Sequence, residues 1–352
     1  YLPQFHPIPE NDRWWGKGFT EWTNVAKSLP RFDGHYQPHL PADLGFYDLR
    51  LKEARLAQEA TAKEFGIHGF CYYHYWFNGK KILQEPLDRK LQNLNEDLPF
   101  MMCWANENWT RIWDGGSNQV LMHQEYNVED DKAHIQHLIN YFKDERYIKV
   151  DGKPVFIIYR PKFFPDIEKT IKLWREEVKK AGFPDLYLGF SQNMEHQFEP
   201  TTKGFDFGFE FQPNFSNVSQ NVIYSHNRYE RIMRKVKKKF KIGVKRLECY
   251  YDYDSFAKKQ VEVGFKKDIY PGITPMWDNS ARRKEEPFIL HESTPDKYKK
   301  WLQHIKENYP WADMPESFLF INAWNEWAEG CHLEPCQKWG TQYLEVTKEV
   351  LQ

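Results

Sequence analysis

The sequence is poor in several things that would each point to a function. Its five cysteines, Cys71, Cys103, Cys249, Cys331 and Cys336, are odd in number and scattered. That excludes the disulfide framework that staples small secreted domains. Cys71 and Cys103 lie in apolar, strand-like runs and read as small core residues. Cys331 and Cys336 are close enough to pair, but free thiols are the preferred reading. No apolar run approaches the ~20 residues that a membrane-spanning helix needs. Charge of one sign is also missing: the formal net charge is −1, so nothing in the balance calls for a nucleic-acid partner. No G-x-G-x-x-G loop follows the first strand-like run, which counts against a nucleotide-binding open sheet. His6, His35, His39, His74 and His332 fit no zinc spacing. Neither a metal nor a cofactor is expected. The chain has no initiator Met and opens within an extended run, which reads as a trimmed N-terminus.

What the chain has in excess is aromatic. Aromatics make up 17% of the 352 residues, 14 of them Trp. Trp is costly to bury without a partner for its N–H, so many of these rings are expected to line a cleft. Strand-like runs fall at Tyr1–Phe5, His68–Tyr73, Phe100–Trp104, Val155–Tyr159, Tyr187–Phe190, Phe207–Phe211, Ile273–Trp277 and Phe318–Ala323. Helical spacing fills Leu49–Phe65, Lys132–Phe142, Asp166–Ala181 and Thr294–Asn308 between them. Eight strands alternating with helices predict a single α/β domain over 1–352, a (β/α)8 TIM barrel with long loops over its C-terminal face. Residues 10–44, rich in Trp, Pro and Gly, read as a flap over that face. Residues 213–248 read as a basic insertion, with Lys237, Lys238 and Lys239 at its centre. It is either a solvated helix face, the preferred reading, or a patch for an anionic polymer or peripheral membrane contact.

Barrels place their chemistry where the strands end. The last strand-like run ends in Asn325, Glu326 and Glu329, with Trp324 and Trp327 around them. Two carboxylates walled by indole suit glycosidic-bond chemistry, one as acid and one as base or nucleophile. If the turn is helical they lie about 5–6 Å apart on one face, and such closeness drives one pKa upward. The competing explanation is a helix start whose dipole favours acidic residues. Glu107 is the rival carboxylate. Further hydroxyl partners are expected in His74, Asn106, Gln192, Glu210, Asp278 and Asn325. Sugar platforms are expected in Trp15, Trp22, Trp76, Trp104, Trp109 and Trp277. The D-x-D string Asp252-Tyr253-Asp254 matches a metal-holding pattern of nucleotide-sugar transferases, but reads more simply as a turn.

Five stretches together carry a family resemblance: Tyr1–Asp12, Trp14–Val25, Trp104–Trp109, Met276–Arg283 and Asn322–Gly330. They resemble the WbsX family over nearly the whole chain, and that family is similar to glycoside hydrolase family 99. WbsX-like sequences are associated with O-antigen, lipopolysaccharide and capsule genes and are often labelled glycosyltransferases. The family 99 likeness implies a (β/α)8 barrel and endo-acting, metal-free cleavage of a polysaccharide, with an α-mannosidic linkage as the expected target. It implies retention assisted by the sugar 2-hydroxyl, with Glu326 serving that hydroxyl and Glu329 as acid/base. Two alternatives stand: a glycosyltransferase or transglycosylase of O-antigen or capsule assembly, and a catalytically silent glycan-binding barrel. The expected partner is an oligo- or polysaccharide, not a nucleic acid. The resemblance leaves a bacterial cytoplasm or periplasm open as the compartment.

Overall fold

The computed structural model describes residues 1–352 except 112–118, 194–197, 217, 223–235, 237–238, 240–248 and 284–286. Apart from Val236 and Lys239, the basic stretch 225–245 therefore lies outside the described residues.

The fold is mixed α/β. Its centre is a run of parallel strands: Phe70–Phe77, Phe100–Trp104, Lys153–Ile158, Tyr187–Gln192, Phe207–Glu210 and Ile269–Tyr270. Register carries His74 opposite Trp104, Trp104 opposite Ile158, and Gln192 opposite Glu210. Phe100–Trp104 is buried at every position, as a parallel strand covered on both faces must be. Beyond Ile269–Tyr270 the chain continues into Gly272–Ile273, which pairs in parallel with Phe320–Ile321. Gly272 is required by close approach: a Cβ there would sit 1.8 Å from the carbonyl oxygen of Glu210.

Helices cover the outside. Asn127, Asp166 and Thr294 cap Val128–Phe142, Ile167–Lys180 and Pro295–Asn308 by accepting from Asp130, Lys169 and Lys297 backbone N–H groups. Trp174 packs beneath Trp104 and donates its indole N–H to the Asp131 carbonyl at 2.8 Å. Pro295–Asn308 packs on Gln342–Leu351, with the Tyr298 and Thr347 hydroxyls 3.1 Å apart.

Several sequence expectations are corrected. The hydrogen-bonded ladder does not run through eight closed strands. Residues 1–5 form no ladder strand, although Tyr1 exchanges backbone bonds with Cys71 and Tyr73. The link from the last strands back to this segment is a side chain. Asn325 Oδ1 accepts from Leu2 N at 2.7 Å and its Nδ2 donates to Leu2 O at 3.0 Å. Ile269–Tyr270 was not anticipated, and the Ile273 and Phe318 runs yield only two-residue strands. Phe70–Phe77 runs four residues past its expected end, with consequences for the site. All five cysteines are free. Residues 10–44 hold most of the short helices Pro9–Trp15 and Trp22–Ala26 and lie against the C-terminal ends of the strands.

Candidate functional site

At those strand ends lies a cleft of about 500 Å³. Glu326 and Glu329 are both on its wall. The turn that holds them is not a helix start. Asn325–Glu326 pairs antiparallel with Cys331–His332, and Trp327–Glu329 forms a single 3-10 turn closed by Gly330 at φ +53°. Only glycine takes that conformation without strain, and a Cβ on Gly330 would come within 3.0 Å of Asp278. Trp327 anchors the turn from behind, stacked on His332 at 3.8 Å and donating to Glu334 Oε2 at 2.6 Å.

The two carboxylates meet on one guanidinium. Arg282 Nη2 is 2.8 Å from Glu326 Oε1 and 3.2 Å from Glu21 Oε2, while Nη1 is 3.0 Å from Glu329 Oε1. Gln4 Nε2 adds donors to both Glu326 oxygens at 3.2 and 3.1 Å. Three carboxylates around one arginine leave two negative charges over if all are ionised. Burial penalises that state. Burial accordingly pushes Glu326 up to about 8, with Arg282 pulling down and Glu329 and Glu21 pushing up. Glu329 is raised for the same first reason. Burial would weaken the Arg282 charge, but its three carboxyl neighbours hold it well above the usual arginine range. The cluster thus retains a proton near neutrality, and that proton belongs to the pair.

The other expected site residues divide. Trp15, Glu107, Trp109 and Trp277 line the cleft. Glu107 Oε1 accepts from Arg160 Nε at 2.8 Å. Arg111 lies 5.3 Å over the Trp15 ring. Asn106, Asp278 and Asn325 lie just behind the wall. Asn106 accepts from Arg160 N at 2.7 Å. Asp278 accepts from Gln37 Nε2 at 2.6 Å and meets His35 Nε2 at 2.7 Å. Gln192 and Glu210 line a separate, small cavity of about 70 Å³; burial lifts Glu210 to about 7.

Four expectations place the side chain wrongly. Trp22 is packed among Phe5, Tyr47 and Trp327 and donates to Tyr47 O at 2.8 Å. His74, Trp76 and Trp104 point outward, under the helices. His74 bonds Gln84 and His134 at 2.9 Å each, Trp76 donates to Asp130 at 2.9 Å, and Trp104 donates to Trp76 O at 3.2 Å. The reason is strand alternation. Because Phe70–Phe77 continues past Tyr73, its cleft face carries Tyr73 and Tyr75, both lining residues, and its other face His74 and Trp76. The period-two pattern could have found these tyrosines. Nothing local could have found Gln4, Glu21 or Arg282, whose partners are distant in sequence. The D-x-D string is a helix cap: Asp252 Oδ1 accepts from Ser255 N at 2.8 Å, and Asp254 pairs with Lys258 at 2.6 Å.

A family profile described as Glycosyltransferase WbsX matches residues 1–347. The chain belongs to the WbsX family. Curated relatives include "Uncharacterized protein WxcX" of Xanthomonas campestris pv. campestris, in strains B100 and ATCC 33913, each 40% identical over 356 residues. Those matches cover 100% of this chain and 49% of the relative, so this WbsX chain spans about half the length of the curated proteins it matches. Among solved structures it is similar to a "Glycoside hydrolase-like protein" (TM-score 0.57, 15% identity, 92% of both chains). It is also similar to the GH99 endo-alpha-mannosidase from Bacteroides thetaiotaomicron (TM-score 0.57, 13% identity, 100% of this chain and 95% of that one). At these identities the likeness is one of fold.

Proposed function

We propose that this WbsX chain is a glycan-cleaving enzyme, an endo-acting glycoside hydrolase built on a (β/α)8 frame whose last seam is the Asn325 side chain. The observation that carries the reading is the buried Glu326–Arg282–Glu329 constellation on the wall of an aromatic cleft. Trp15, Trp109 and Trp277 offer flat apolar faces to sugar rings, and residues 10–44 act as the flap. Glu326, clamped by Gln4 and Arg282, is fixed as a base toward the sugar 2-hydroxyl. The 2-oxygen attacks the anomeric carbon as the bond to the leaving oxygen breaks. Glu329, the more accessible of the two, gives its proton to that oxygen. It then takes one from the water that opens the 1,2-anhydro intermediate, and Glu326 returns its proton to the 2-oxygen. Retention follows from two inversions at one carbon. A glycosyltransferase reading draws on the family label, while Asp252 of the D-x-D string serves here as a helix cap; a transglycosylase would use the same Glu pair.

The test is product release from bacterial and yeast surface polysaccharides. Positioned acid–base groups contribute about 10²–10⁴-fold each, so Glu326→Gln and Glu329→Gln are each expected to lose that much of kcat while still binding glycan. Full activity in Glu329→Gln would sink the assignment.

A further inference from the structure

The charges on the cleft wall do not all find partners. Arg160 is occupied by Glu107, and Arg282 by Glu326 and Glu329. Arg283 is the remaining cation on the wall among the described residues. Its backbone is held at both ends: its N–H donates to Asn279 O at 2.8 Å, and its carbonyl accepts from Arg31 Nη1 at 3.2 Å. Its guanidinium meets no hydrogen-bond acceptor and no carboxylate among the described residues. It lies over the Phe288 ring, 5.6 Å from the centroid, and Phe288 also lines the cleft. A ring beneath a guanidinium fixes its plane and leaves its N–H edge open. A second donor stands in the same segment. Trp277, a wall residue, has a buried indole N–H with no acceptor among the described residues. Buried donors without acceptors are rare in folded proteins; the Trp277 N–H is one, and in the same segment the partly exposed Arg283 edge is a donor open to a ligand oxygen.

We propose that the cleft takes an acidic glycan, and that Arg283 reads the carboxylate of a uronic acid residue beside the cleavage point. The inference rests on the glycan-cleaving reading and narrows its substrate class. A guanidinium edge matches a carboxylate with two parallel hydrogen bonds. A neutral hexose would leave that edge half-used. Arg283 also opposes the charge of Glu329, so a sugar carboxylate placed there would return some negative potential to the acid/base and favour its protonated form.

The experiment measures binding, independently of turnover, by the fluorescence of the cleft tryptophans. The probes are the methyl glycosides of glucuronate, galacturonate and mannuronate, each against its neutral parent sugar. Wild type is expected to bind at least one uronoside about tenfold more tightly than its parent, with the preference shrinking in high salt. Arg283→Gln is expected to abolish the preference, and Arg283→Lys to keep part of it, with thermal unfolding unchanged in both. No uronoside preference in wild type, or a preference that survives Arg283→Gln, overturns the proposal. Failure to release products from any polysaccharide would strike the hydrolase reading and leave this binding result standing.

Discussion

Arg282 is the residue on which the site turns. It is buried, charged, and shared by Glu21, Glu326 and Glu329. Removing one member of a buried ionic group costs about 3–5 kcal/mol, so Arg282→Met is expected to lose that order of stability in denaturant titration, and Arg282→Lys much less. In the proposed mechanism the working state of the pair holds one proton. Loss of that proton sets the alkaline limb of kcat/KM, expected near the Glu326 value of about 8. Arg282 lowers the pKa of Glu326, so its removal moves the limb to higher pH, while replacing Glu21 by Gln removes a like charge and moves it lower. A pH profile that ignores both substitutions would exclude this cluster as the source of the limb. At this scale the sequence was half legible. The Glu pair, Trp109 and Trp277 could be picked out because they follow strand-like runs, and Trp15 because it lies in the Trp-rich 10–44 segment. Arg282 could not, because its role depends on a fold that brings residues 4, 21, 282, 326 and 329 together.

At the scale of elements, the five strands from Phe70 to Glu210 in the parallel run could be read as apolar runs and the long helices from their periodicity, with ends shifted by a few residues, whereas Tyr1–Phe5 could not be told from a strand and Ile269–Tyr270 was too short to see. The misplacement of His74 and Trp76 came from one misjudged strand end, since the two faces of a strand exchange with every residue. The 10–44 segment is tied down at Asp278, which serves both His35 and Gln37. Burial works against the Asp278 charge, but the hydrogen bond and charge of His35 hold its pKa below the usual range. Asp278→Ala leaves two buried donors without an acceptor, at about 1–3 kcal/mol each. The expected signature is faster amide hydrogen exchange over 28–39 and a raised KM, with a smaller change in kcat. Gly330→Ala forces a side chain into the left-handed region at about 1–2 kcal/mol and presses on Asp278, so it should lose activity through displacement of Glu329. Unchanged exchange in the first variant would show that the loop is held elsewhere.

Over the whole molecule, buried titrating groups oppose one another. Burial raises Glu326 to about 8 and Glu210 and Glu334 to about 7. Such groups favour the fold below the unfolded value of 4.5, and that advantage is lost as pH rises through the folded values. Burial lowers His39 and His137 to about 4 and His74 to about 3. These favour the fold above 6.5, and their advantage is lost as pH falls through the folded values. The two sets oppose each other between about 4.5 and 6.5, and above 6.5 the raised carboxyls are expected to lower Tm. Glu334→Gln should shrink the drop in Tm between pH 5.5 and 8; an undiminished drop would exclude Glu334 as a contributor. The α/β alternation was legible at this scale because it repeats along the chain, whereas the bonds between Asn325 and Leu2 were not, because a single side chain makes them. Those bonds join residues 2 and 325, so they cannot form until the chain between them has been made. The ribosome delivers Trp15, Tyr73, Tyr75 and Trp109 long before Arg282, Glu326 and Glu329 exist. A chain not yet extended to residue 329 therefore carries rings for a sugar but not the acid pair that the proposed chemistry needs.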